Sequence, residues 1–210
     1  MAARILKIGF IVVLLMSFSI TTPATENASY EAPGRYAVLF YYGAMTKNTL
    51  GHVIKMKYTL DDEHLYSGEI SYVFKPNQSI RRYFDRIFQS IEANFNFTIH
   101  DDHDKTFYEL VPYLSFRIKN FPWEKYLITS LSLGEGVSWC SKISTREYRN
   151  SRDPQRLLNY LNLEFTVALP KFPRLEFVGR FHHRSGVFGL YRSHNSGATA
   201  AGLGIRWYFG

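Results

Sequence analysis

His183 and Ser185 stand two residues apart at the end of the segment Leu175 to Ser185. In an extended chain, side chains at i and i+2 project to the same side, so imidazole and hydroxyl share a face. Serine is a poor nucleophile unless a neighbouring base takes its proton as attack proceeds, and histidine is suited to that because its ordinary pKa lies near neutrality. Ester or amide hydrolysis is the natural product of such a pair. The plainer reading is that the two polar side chains mark where an apolar face leaves hydrocarbon for the headgroups. Leu175, Phe177, Gly179 and Phe181 share that face, and Glu176, Arg180, His182 and Arg184 take the other. A polar pair closing an apolar stripe costs free energy unless bonded or placed near the headgroups.

The elements that must hold the pair show the same period of two. Leu161, Leu163, Phe165, Val167 and Leu169 oppose Tyr160, Asn162, Glu164, Thr166 and Ala168. Comparable alternation runs through 52–60, 66–74, 91–99, 108–118, 126–139 and 203–209, which with 175–185 predicts eight strands of the length a tilted membrane strand needs. The expected fold is all-β, an eight-stranded antiparallel transmembrane barrel of the outer-membrane type. Residues 36–44 also alternate; since an even strand number keeps both termini on one side, they are expected as an N-terminal extension or part of an irregular first hairpin. The expected organisation is a signal peptide at 1–24, an N-terminal segment with a candidate extra strand at 25–51, and the barrel at 52–210. A lipocalin-like soluble barrel would turn the apolar face inward around a ligand. The 17% aromatic content and strands apolar to their ends favour lipid exposure.

Arg4 and Lys7 precede an apolar run from Ile8 to about Ile20 and the small residues Thr22, Pro23 and Ala24, the order of a secretory signal peptide. Removing it takes the formal charge from +7 to +5, since Arg4 and Lys7 leave with it. Basic excess on an exported chain points to phosphorylated lipid surfaces and away from nucleic acid. Cys140 is the only cysteine, so no internal disulfide forms. Lys142, Arg146, Arg149, Arg152 and Arg156 crowd one upper loop, either as a phosphate clamp or as a solvated charge run.

The run Arg180-Phe181-His182-His183-Arg184-Ser185, on the second-last strand of such a barrel, resembles the active-site strand of the outer-membrane lipid A 3-O-deacylases of the PagL type. The resemblance implies hydrolysis of an ester-linked acyl chain of lipid A in the outer membrane of a Gram-negative bacterium, with no metal or organic cofactor. It implies His183 as base and Ser185 as nucleophile, with Arg180 also in register. Where that family has Asn after the nucleophile this chain has Gly186, and no Asp or Glu follows Glu176 to act as the triad acid. Asn159 and Asn195 are the expected substitutes, ranked above Glu135. Backbone amides from Gly186 to Gly189 are the expected oxyanion donors, because absent side chains permit close approach. Arg180, Arg184, Arg146 and Arg149 are candidate contacts to lipopolysaccharide. The alternative reading is a barrel that has lost the acid and binds lipopolysaccharide or serves structurally without catalysis.

Overall fold

The computed structural model describes residues 32–84, 87–103, 105–193 and 197–210. The expected signal peptide lies outside them. Eight antiparallel strands close into a barrel in chain order: β1 (Tyr36–Thr46), β2 (Leu60–Val73), β3 (Ser90–Asp102), β4 (Lys105–Ile118), β5 (Ile128–Cys140), β6 (Leu157–Ala168), β7 (Leu175–Ser185) and β8 (Gly197–Phe209). β8 pairs with β1 to close the wall, and Arg35 N–H donates to the Gly210 carbonyl at the shared lower rim. Among the described residues, three short α-helices interrupt the connections: α1 (Leu50–Ile54), α2 (Ser79–Phe84) and α3 (Thr145–Asn150).

Seven of the expected strands coincide with β2 to β8, and the first does not. Residues 36–46 are β1, a full member of the barrel, while most of 52–60 belongs to a strap containing α1. The strap carries Lys47, Lys55 and Lys57, and Met56 takes φ +57, which ends any extended run there. Gly43 and Gly202 face each other at the β1–β8 seam, where a Cβ on Gly202 would overlap the Tyr42 carbonyl. Small residues are thus required where the wall closes. Pro112, facing outward on β4, removes a donor; the β4–β5 ladder skips that point and resumes in the same register, from Leu110↔Trp139 to Tyr113↔Gly136.

Which face is out is decided by where the charges sit. Inside, Glu164 receives Arg117 at 2.9 Å, Arg180 at 2.7 Å and Arg206 at 2.6 Å, while Arg180 also binds Glu69 at 2.6 Å and Arg117 binds Glu92 at 2.9 Å. Nearer the upper rim, His100 bridges Glu63 and Glu109, each at 2.8 Å, and His182 lies 3.0 Å from Glu109. Outside stand Phe40, Ile70, Phe95, Phe97, Phe165, Phe177, Leu203 and Ile205, all exposed. A lipocalin would have these faces exchanged, so the polar interior and apolar exterior identify a bilayer-spanning barrel. Aromatic rings mark both interfaces: Tyr36 and Phe209 stack near the lower rim, and Tyr42 packs on Tyr66 and Tyr108 on Trp139 near the upper one. The interior is filled by side chains. The Tyr41 phenol, for example, lies over Gly43 of its own strand and donates to the Arg180 carbonyl.

Candidate functional site

Against this apolar wall, a few outward positions near the upper rim are polar, and register brings several of them together. His183 on β7 lies opposite Thr199 on β8 and Leu161 on β6. Ser185 lies opposite Asn159 on β6 and Gly197 on β8. Directly opposed residues in antiparallel strands have Cβ atoms about 5 Å apart, close enough for short side chains to interact. His183 Nδ1 and Thr199 Oγ1 are hydrogen-bonded at 2.8 Å. The ring leans up the wall toward the row of Ser185, since its Cε1 atom comes 3.7 Å from where a Cβ on Gly197 would stand. No hydrogen bond joins His183 to Ser185 among the described residues.

The expected orientation therefore holds: His183 and Ser185 face out, and His182 and Arg184 face in. Asn159 does face Ser185, and its carboxamide is within hydrogen-bonding reach of Glu135 on β5. Asn195 lies outside the described residues. Gly186 caps a 3-10 turn at Val187–Gly189, and the Gly189 N–H donates to the Gly186 carbonyl at 3.1 Å, so the Gly189 amide is already bonded within the loop. Val187 takes φ +44, a costly conformation for a β-branched residue, two positions beyond Ser185.

The arginines expected to contact substrate divide. Arg180 and Arg184 point into the lumen, where Arg180 binds Glu69 and Glu164 and Arg184 binds Glu147 at 2.8 Å. Neither reaches the outer face, because alternation places them on the opposite side of the strand from His183. Arg146 lies 3.8 Å from Asp61 at the upper rim, and Arg149 is exposed. Both belong to α3, which Ser144 caps by accepting from the Glu147 N–H at 3.1 Å. Burial pushes the Glu147 carboxyl upward, with Arg184 opposing the shift.

Thr199 went unnoticed in the sequence because its pairing with His183 depends on the length of the β7–β8 connection. The only signal was its parity with Leu203, Ile205 and Trp207 on the outward row. Thr199 is only 1% exposed, since the strap after β1 crosses the wall here. Thr46 Oγ1 donates to the Thr199 carbonyl at 2.8 Å, α1 packs against β8 with Val53 fully buried, and the Tyr58 ring meets Phe181 edge-on at 6.4 Å.

Among the described residues, two groups of donor atoms have the spacing of metal ligands: His100, Glu109 and Cys140 inside, and Asp61, Asp62 and His103 at the rim. In the first, both imidazole nitrogens already bind carboxylates, which makes it a closed ion-pair cluster. The second is an open acidic rim.

No family model matches the chain, and no curated protein matches it. Among solved structures it is similar to the outer membrane enzyme PagL, with TM-score 0.56 and 13% identity over 82% of this chain and 99% of that one. It is also similar to Neisserial surface protein A, with TM-score 0.46 and 10% identity over 83% and 96% of the two chains. The N-terminal β-barrel domain of Pseudomonas aeruginosa OprF matches with TM-score 0.43 and 12% identity over 83% and 97%. The likeness is one of fold, that of outer-membrane barrels.

Proposed function

We propose that this barrel is an outer-membrane acyl-ester hydrolase acting on lipid A or a similar lipid of the outer leaflet, with Ser185 as nucleophile and His183 as base. The observation that carries the reading is the His183–Thr199 bond on the lipid-facing wall, one row from Ser185. If Nδ1–H donates to Thr199, the Nε2 lone pair is free to accept the Ser185 proton as the hydroxyl attacks the ester carbonyl. The imidazolium then returns that proton to the departing alkoxide, and water hydrolyses the acyl-serine by the same route in reverse. The Gly186 amide, next in sequence to Ser185, is the candidate donor to the oxyanion. Exposed Arg149 is the remaining candidate contact for lipid phosphates.

A second reading, a non-catalytic barrel that binds lipopolysaccharide or serves structurally, draws on one observation: the group bonded to Nδ1 is a neutral hydroxyl, which stabilises an imidazolium less than a carboxylate does. Mass spectra of lipid A from cells with and without the protein, and with Ser185→Ala, discriminate the two. The hydrolase reading expects loss of one acyl chain only with the wild type, while Ser185→Ala still migrates as a folded, heat-modifiable barrel. Unchanged acylation in all three defeats it.

A further inference from the structure

Glu135 is a carboxylate on the apolar side of the wall. It belongs to the outward row of β5 with Leu131, Leu133, Val137 and Trp139, and its partners in register are Leu114 and Leu161. Glu69, Glu92, Glu109, Glu164 and Glu176 all turn inward to arginine or histidine, whereas Glu135 is exposed and forms no ion pair among the described residues. Its polar neighbours are neutral. The Asn159 carboxamide is within hydrogen-bonding reach, and the Tyr191 phenol, from the β7–β8 connection, is near enough to interact with it electrostatically. A carboxyl has several acceptor sites, and leaving them empty against hydrocarbon is costly.

Depth narrows what can fill them. Trp139 of the upper aromatic girdle stands four residues above Glu135. At about 3.4 Å per residue on a strand tilted about 40°, Glu135 sits roughly 10 Å below that ring. Phosphates and ammonium groups lie at or above that ring, and register sets Glu135 in the row of Leu161 and His183, beside the position proposed for the ester. A neutral donor therefore fits better than a charged headgroup.

We propose that Glu135, with Asn159 and Tyr191, is a recognition site for a neutral hydrogen-bond donor, a secondary amide N–H or a hydroxyl, carried by a membrane lipid near the root of its acyl chains. The inference rests on reading His183 and Ser185 as the hydrolytic pair: a donor held at Glu135 and Asn159 brings a neighbouring ester to Ser185, which Asn159 faces directly.

The test uses the full barrel in phosphatidylcholine vesicles, with Trp123 and Trp207 replaced by Phe so that Trp139 reports alone. The probes are a brominated-chain lipid with a secondary amide linkage and its N-methylated twin, which lacks the donor. The site predicts that the amide lipid quenches Trp139 at about one-tenth the concentration its twin requires, a difference of about 1.4 kcal/mol. Glu135→Leu should erase the difference while the barrel folds as before, and Glu135→Gln, which keeps an acceptor, should retain part of it. Equal quenching by the two lipids, or a preference that survives Glu135→Leu, overturns the proposal. A preference without ester cleavage in a parallel assay supports the site and overturns only the hydrolytic reading.

Discussion

The imidazole of His183 and the hydroxyl of Thr199 are bonded across the β7–β8 seam, Nδ1 to Oγ1 at 2.8 Å, on the lipid-facing side of a barrel whose arginine–glutamate pairs turn inward. A hydroxyl here accepts from Nδ1–H or donates to Nδ1, and in either role it holds the ring without adding charge to the wall. Thr199→Val keeps the shape and removes the acceptor. The expected result is a fall in kcat of about 10- to 100-fold with little change in KM, and an unaltered melting temperature. Turnover of a purified barrel on a mixed-micelle ester measures it. A change in stability with kcat intact would reduce Thr199 to a packing role.

Arg180 is the hub of the interior, bonded to both Glu69 and Glu164. Arg180→Met should destabilise the barrel by about 3–5 kcal/mol, because two buried carboxylates lose a partner. Arg149→Met, on the exposed helix α3, should change stability by less than about 0.5 kcal/mol. Urea unfolding in lipid vesicles, followed by loss of heat-modifiable migration, compares the two.

Gly202→Val tests the closing seam. A side chain there meets the Tyr42 carbonyl and the Gly43 Cα across the β1–β8 pair. Backbone cannot yield as a flexible side chain can, so the expected loss is about 3 kcal/mol or failure to fold, with β1 released first. Protease sensitivity of residues 36–46 reads it. Gly68→Ala, with nothing within 4 Å of the added Cβ, is the control.

At the upper turn between β3 and β4, His103 Nδ1 lies 3.0 Å from Asp102, and that hydrogen bond raises the imidazole above its ordinary value. A folded pKa above the unfolded one, about 6.5, stabilises the protonated state. The contribution is fully present below about pH 6.5 and is lost as pH rises through the folded value. NMR titration of His103 should give a midpoint above 6.5, and His103→Ala should flatten the decline in unfolding midpoint toward alkaline pH.

Seven strands were legible because lipid and lumen make opposite demands on alternate residues. The eighth was misread because Ile54, Met56, Tyr58 and Leu60 alternate with polar residues without forming a strand: the strap buries Val53 and leaves Ile54, Met56 and Leu60 exposed. Arg180 and Arg184 were separable from His183 by parity alone, so their inward turn was already written in the period of two. Thr199 was not legible: which outward residue of β8 meets His183 is set by register, and register passes through the connection 186–196.

The strap over β1 and β8 has a consequence for traffic at this surface. By sealing Thr199 and the adjoining wall, it screens the β8 flank of His183 from the bilayer, while the β7–β8 connection carries Tyr191 past β6 toward Glu135. A diffusing amphiphile therefore meets the strap and that connection before it meets the imidazole.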